Sequence, residues 1–196
     1  MGMFLVSNIV EDIKSALSSV LSTYFLVEDY IMICGMLRAF PACNIYYDIT
    51  VLNNIDNTSS IFAKPVIAIT GNRMGKARGL DTKVADGKCE DGIGRKVYID
   101  IVEFTRTVYV KCVSKYPLTF PSLNPGDDPY QINHKEYCDK LWGLLYLVFN
   151  TQESKFAAVN LYSVNLSASP IEYSTESETV LSGELKFTAH LQRIIE

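Results

Sequence analysis

The histidines and cysteines of this sequence are too few and too scattered for the usual metal-binding and nucleophilic sites. Its two histidines, His134 and His190, are far apart, and its five cysteines are never spaced as a CxxC pair. A zinc site needs four ligands, commonly in closely spaced pairs. The sequence therefore predicts no metal site and no disulfide framework, and we expect reduced, mostly buried thiols. The cysteines are Cys34, Cys43, Cys89, Cys112 and Cys138.

Some polar residues in the last third of the chain have the types that proton transfer or cation binding uses. His134 has no carboxylate or nucleophile at a supporting spacing, so we expect it to be a surface residue. Glu172, Glu176 and Glu178 lie in a Ser/Thr-rich segment and could bind a cation. Because such carboxylates are usually solvated, we expect exposed charge there. No catalytic set is predicted, and we expect a protein that is not an enzyme and has no cofactor.

The segment at residues 71–77, GNRMGKA, follows a short apolar run and is similar to a phosphate-binding P-loop. That motif reads GxxxxGK followed by Ser or Thr, whose hydroxyl holds magnesium. Here three residues separate Gly71 from Gly75, and Ala77 follows Lys76 where the hydroxyl is needed. The match fails at both points, which leaves a nucleotide-binding enzyme using this segment as the lesser alternative.

Residues 72–94 lack a periodic pattern and contain five of the eleven glycines. We interpret them as a long loop that joins two paired strands. Loops of about this length inside compact domains are usually functional or mobile. Five cations in it are our candidates for contact with another subunit or a partner. They are Arg73, Lys76, Arg78, Lys83 and Lys88.

The longest strand is predicted at residues 95–113, RKVYIDIVEFTRTVYVKCV. Apolar residues alternate with other residues there, and neither Gly nor Pro interrupts them. Because strands usually run about 5 to 6 residues, this stretch is either one long bent strand or a hairpin that turns near residues 103–106. Its apolar face changes parity in that middle part, which predicts a bulge or a tight turn.

Two amphipathic helices are predicted to pack on the sheet. The first begins at Ser7 or Asn8 and has apolar residues at three- and four-residue spacing as far as Tyr24. The second follows Asn133, a favourable N-cap with Glu136 three residues later, and carries two apolar stripes. Residues 25–40 fit either a helix or a buried strand.

Other strands are predicted at residues 44–52, 66–70, 157–166, 171–173 and 181–194. The last of them alternates apolar and polar residues, as a half-buried antiparallel strand does. Four prolines make residues 114–130 an extended connector, with a docking peptide for an aromatic groove as the alternative. The sequence thus predicts an α+β fold: a mostly antiparallel sheet with a long β-ribbon and two amphipathic helices packed on one face.

Composition restricts the class of protein. A chain of 196 residues suits one domain, residues 1–196, with a single main core. Its net charge of −4 makes a general electrostatic grip on nucleic acid unexpected. No stretch is apolar for long enough to span a membrane, and the N-terminus lacks the basic region of a signal peptide. We therefore expect no membrane partner.

The order of elements resembles that of the tail terminator, or tail completion, proteins of long-tailed bacteriophages. The likeness begins with the first helix, the short strand at 66–70 and the long loop. It continues through the ribbon at 96–113 and the apolar helix at 134–150 to closing strands that end in SGELKFTAHLQRI. It is a likeness of pattern that covers nearly the whole chain.

The resemblance implies a virion structural protein that forms a ring, six-fold in that family, which caps the tail tube and joins it to the neck. Its partners would be its own copies, the tail tube protein, the neck protein and the sheath of a contractile tail, with DNA only passing through the channel. It would lie at the head-proximal end of the virion tail, and in the host cytoplasm during assembly. Another neck or baseplate component is the alternative in the same structural class, since such proteins can share folds.

Overall fold

The computed structural model describes the following residues: 4–5, 9–25, 29–33, 36–40, 42–47, 52, 55–74, 82–83, 96–115, 119–120, 122, 124, 126–128 and 130–195. In chain order their strands are β1 (Phe4–Leu5), β2 (Asp29–Ile33), β3 (Met36–Phe40), β4 (Asn44–Tyr46), β5 (Val66–Met74), β6 (Thr82–Lys83), β7 (Lys96–Val113), β8 (Thr119–Phe120), β9 (Tyr130–Gln131), β10 (Leu161–Leu166), β11 (Ile171–Ser174) and β12 (Glu178–Ile195). The helices are α1 (Ile9–Phe25), α2 (His134–Thr151) and α3 (Glu153–Ala158), with a 3-10 turn at Ser60–Ala63.

The two longest strands, β7 and β12, form a continuous antiparallel ladder. It runs from the pair of Lys96 with Ile195 to the pair of Val113 with Glu178, and its register does not shift. Residues 96–113 are therefore one strand of 18 residues. The hairpin alternative is wrong, and so is the bulge or turn predicted near residues 103–106. The irregularity in this part of the sheet lies in β5, between Thr70 and Arg73.

The parity change in the sequence of β7 is a change of the face that carries apolar residues, along one unbroken strand. Apolar residues stand at odd positions in residues 97–101, whereas alternate residues from Val102 to Cys112, at even positions, are buried, and the charged member of that row is Arg106. A change of apolar face therefore does not require a bulge or a turn here. Next to Arg106 in the row, Phe104 stacks on Phe187 of β12, with ring centroids 5.4 Å apart.

The remaining strands extend the ladder on both sides. β5 pairs with β7, and β4 pairs with β5. On the side of β12 away from β7, successive parts of β12 pair with β11, β10 and β1. β6 pairs with β7 near the start of β7. Among the described residues the sheet has eight strands, of which the β1–β12 and β4–β5 pairs are parallel. The predicted α+β fold with a mostly antiparallel sheet is confirmed.

All three helices contribute to one main core against one face of the sheet. α1 buries the predicted apolar residues, from Ile9 to Phe25. The N-cap of α2 is confirmed, because the side-chain oxygen of Asn133 accepts a hydrogen bond of 2.8 Å from the backbone N–H of Glu136. α3 follows α2 closely, and its Phe156 stacks on Phe149 of α2. The prediction of two helices on one face therefore holds, and α3 is added to them.

A smaller core lies on the opposite face of the sheet. Its side chains come from the 3-10 turn, from the ends of β5 and β7 and from the residue at position 52. Within it, Lys111 Nζ lies over the ring of Phe62, 4.6 Å from the ring centroid. The buried members of this core are Leu52, Phe62, Val66, Ala68 and Val113.

Several predicted boundaries change. Residues 25–40 include the end of α1 and a β2–β3 antiparallel pair. β4 ends at Tyr46, and the described residues after it do not continue the strand predicted to residue 52. The strand predicted at 157–166 begins at Leu161, because Ala157 and Ala158 complete α3; alanine is the strongest helix former. The predicted connector at 114–130 does not run in one direction, because β8 pairs antiparallel with β9 and the chain therefore turns back between them.

Candidate functional site

The strands place two of the five predicted contact cations beside β7. Arg73 is in β5 opposite Thr105, and Lys83 is in β6 opposite Tyr98. Their partner positions are seven residues apart on β7, or roughly 23 Å along a strand. The two cations are therefore not brought together. The segment predicted as a loop at 72–94 begins within strand β5 and also contains strand β6. Lys76, Arg78 and Lys88 lie outside the described residues.

The segment that is similar to a P-loop begins as a strand. β5 continues through Gly71 to Met74, and Met74 pairs with Phe104. A P-loop instead leaves its strand at the first glycine, so that successive backbone N–H groups turn toward the phosphates. The described backbone at 71–74 therefore does not have the form of a P-loop.

The three predicted acidic residues have different environments. Glu178 Oε2 lies 2.7 Å from Lys111 Nζ and accepts a hydrogen bond of 2.9 Å from Asn57 Nδ2. Glu172 pairs with Lys135 at 2.8 Å, and Glu176 is exposed. The expectation of solvated charge is thus correct for Glu176 and wrong for Glu178. No group of three or more metal-ligating side chains occurs in the part of the chain that the structure describes.

His134 is not the free surface residue that we expected. Its ring is half-buried at the start of α2, and Nδ1 lies 2.8 Å from the hydroxyl of Thr179 in β12. Thr179 is buried and also contacts the Ser174 hydroxyl at 2.8 Å. The three side chains form a row of hydrogen bonds that ties α2 and β11 to β12. A structural role accounts for these contacts.

Three of the five cysteines lie in the main core, as predicted. Cys43, Cys112 and Cys138 are buried and are not joined by disulfide bonds. Burial, together with the neighbouring Cys138 and Cys43, raises the pKa of the Cys112 thiol well above its ordinary value. A thiol with a raised pKa is a poor nucleophile, because the thiolate is the reactive form. Cys34 and Cys89 lie outside the described residues.

The edge strand β11 is the most exposed apolar feature in the described residues. All four of its residues are exposed, and Ile171 and Tyr173 expose 76% and 60% of their surface. β11 pairs with β12 on one side only, among the described strands. An edge strand with unpaired backbone groups and apolar side chains is a ready site for pairing with another chain. The sequence predicts only a short strand at residues 171–173, because the burial of alternate residues cannot be read from so few positions.

The sheet face opposite the helices is polar along much of the ladder. On β12, Glu184 and Lys186 are exposed and form an ion pair at 2.6 Å. His190 stacks on Tyr162 of β10, with ring centroids 4.6 Å apart. The rim of a protein interface is likewise polar and solvent-accessible.

The exposed strand β11 and this polar face together form the candidate interface. None of the described helices is long and apolar enough to cross a membrane. No protein-family model matches the chain, and no curated protein matches it significantly.

Proposed function

We propose that this chain is a structural protein of a bacteriophage virion, which assembles as a ring at the head-proximal end of the tail tube and joins the tube to the neck. The observation that carries the proposal is the uninterrupted ladder of β7 and β12. The element order of the tail terminator family adds to it.

The ladder is long for a domain of this size. Eighteen residues of strand extend over about 60 Å. A compact chain of 196 residues has a radius of gyration of about 16 Å, which corresponds to a sphere about 40 Å across. A ribbon that exceeds its own domain can reach neighbouring copies, so its length favours assembly over a monomeric role.

The candidate interface also suits ring formation. β11 offers its free edge on one side of the sheet, while β4 and β5 lie on the opposite side. A contact between two different surfaces of the same chain is heterologous, and heterologous contacts close into rings when the rotation permits. The predicted cations Arg73, Lys76, Arg78, Lys83 and Lys88 are proposed contacts to the next subunit or to the tube or neck protein.

Native mass is the test of this proposal. Light scattering on a sizing column should detect a species of roughly 130 kDa, six copies of the 22.0 kDa chain, and negative-stain images should contain six-fold rings. A chain that stays monomeric at all concentrations and also fails to bind isolated tail tubes would contradict the proposal. Labelling of intact particles then fixes the position: a label at the baseplate end would replace the terminator assignment with a baseplate one.

A further inference from the structure

Arg106 is a buried cation without an anionic partner in the described part of the chain. It lies in the core-facing row of β7 and exposes only 6% of its surface. Its Nη1 donates a hydrogen bond of 3.3 Å to the carbonyl of Thr105, and its guanidinium carbon lies 5.5 Å from the centre of the Phe104 ring. Burial lowers the pKa of Arg106. An isolated buried charge is costly, and native proteins normally pair it.

The guanidinium lines a cleft between α1 and the sheet. The cleft is small, with a volume of about 40 Å³, and it opens to solvent. Its polar lining comes from Lys14, Tyr47, Thr70 and Arg106. Four apolar side chains complete the wall: Val10, Ile13, Leu17 and Ile69. The cleft thus combines hydrogen-bond donors with apolar walls, which is the usual composition of a small-ligand site.

A second polar atom in the cleft wall also lacks a partner. The Tyr47 hydroxyl oxygen is buried and makes no hydrogen bond with the described residues. Burial raises the pKa of Tyr47 to about 12, and the nearby Ser18 hydroxyl offsets only part of this effect without taking up hydrogen-bond geometry. A buried hydroxyl and a buried guanidinium border the same space, and both have donors for which the described residues supply no acceptor.

The balance of charge in the cleft indicates the kind of ligand. Lys14 Nζ already pairs with Glu11 at 2.9 Å, so the uncompensated charge is the single positive charge of Arg106. A guanidinium presents two parallel N–H donors that match the two oxygens of a carboxylate. We propose that the Arg106 cleft is a binding site for one carboxylate group, held by Arg106 and by the Tyr47 hydroxyl.

This inference does not depend on the proposed ring. The carboxylate has two possible sources with the same chemistry, namely a small free acid or an acidic side chain of a second copy of the chain. In either case the ligand would supply the missing negative charge and accept the unused hydrogen bonds.

Thermal unfolding with added anions tests the site. Sodium acetate and sodium N-acetylglycinate should raise the Tm of the wild-type protein by about 5 °C at roughly 100 times the dissociation constant, and the Tm should keep rising with the logarithm of the concentration, while sodium chloride of equal ionic strength should not raise it. Arg106→Met should abolish the shift, and without ligand its Tm should equal or exceed that of the wild type because an unpaired charge is removed. Tyr47→Phe should reduce the shift, and it serves as the second variant if Arg106→Met does not fold.

The remaining outcomes decide against the proposal or identify the source. Carboxylates that act no differently from chloride, or a full shift in Arg106→Met, would overturn the site. A larger rise in the Tm with sodium phosphate would overturn the assignment of a carboxylate as the ligand. Within a positive result, native mass distinguishes the sources: acetate that breaks an oligomer into monomers identifies a side chain of a neighbouring copy, whereas an unchanged mass identifies a free acid.

Discussion

Lys111 of β7 and Glu178 of β12 form a diagonal ion pair across the ladder. Their Nζ and Oε2 atoms are 2.7 Å apart, although the direct backbone partner of Glu178 is Val113. Lys111 exposes only 4% of its surface, and Asn57 adds a hydrogen bond to the same carboxylate oxygen. The pair therefore joins both long strands to the segment that covers the smaller core.

Removal of the Glu178 carboxylate charge should reveal the free-energy cost of burying the Lys111 ammonium group. We expect Glu178→Gln to lower the free energy of unfolding by about 2 kcal/mol, because it leaves a buried ammonium group without its anion. The double variant Lys111→Met, Glu178→Gln should recover most of this loss. Urea denaturation of the three proteins measures both effects, and equal stability of the single and double variants would contradict the interpretation.

The same pair predicts a loss of stability in acid. Burial alone would raise the pKa of Glu178, but hydrogen bonds from Lys111 and Asn57 and the Lys111 charge outweigh it, so the pKa is lowered below its ordinary value of 4.5. A lowered folded-state pKa means that the unfolded chain takes up the proton first. The ion pair therefore contributes its full stabilisation of the fold above pH 4.5. This stabilisation is lost as the pH falls through the lowered pKa of Glu178.

Urea midpoints between pH 6 and pH 3 measure this contribution. The wild type should be more stable than Glu178→Gln at pH 6, and the gap should narrow as the pH falls toward 3 and Glu178 takes up a proton, because a protonated carboxyl group resembles the glutamine amide. A gap that stays constant over this range would assign the stability difference to a cause other than the charge.

Gly183 should not tolerate a side chain, because an indole occupies the space. A Cβ atom at Gly183 would lie 2.7 Å from the Cζ2 and Cη2 atoms of Trp142, whose Nε1 donates a hydrogen bond to the Ser167 carbonyl. We expect Gly183→Ala to cost about 1 to 3 kcal/mol. Gly143→Ala is the matched control: it is in α2 with open space around it and should stabilise the protein by about 0.5 to 1 kcal/mol.

The cap of α2 should make a measurable contribution to stability. Asn133→Ala removes the acceptor for the Glu136 N–H and should cost about 1 kcal/mol in urea denaturation. Asn133→Asp keeps an acceptor and should remain close to the wild type. Equal losses in both variants would show that the hydrogen bond is not the source of the effect.

Exposed apolar residues on β11 should matter for assembly and not for folding. Ile171→Glu with Tyr173→Glu should convert a ring into monomers without a change in circular dichroism, because both side chains are solvent-exposed in the single chain. Tyr146→Glu, at an exposed aromatic residue on α2, is the control and should leave the oligomer intact. Unchanged native mass in the double variant would remove β11 from the interface.

The helices and the last strand were predictable from the sequence because their apolar residues keep one period. α1, the α2 cap and β12 follow the three-to-four and two-residue spacings closely. Residues 25–40 gave no such signal, since a nearly continuous apolar run has no period that separates helix from strand.

The sites depend on contacts that are distant in sequence, and for this reason the sequence did not identify them. Arg106 is one cation among strand residues until α1 and Tyr47 are packed over it. Glu178 belongs to a polar segment until the ladder brings it to Lys111. Among the predicted cations, Arg73 and Lys83 lie in strands because β5 and β6 pair with β7, and no local sequence pattern predicts these pairings.

The long ladder has a consequence for how the protein folds. Its paired residues are about 65 to 100 positions apart in sequence, and contacts of such separation make folding slow. The central strand β7 also leaves the ribosome well before β12. The sheet therefore cannot be completed until β12 has been synthesised, and a chain truncated before residue 178 would present β7 as an open edge prone to aggregation.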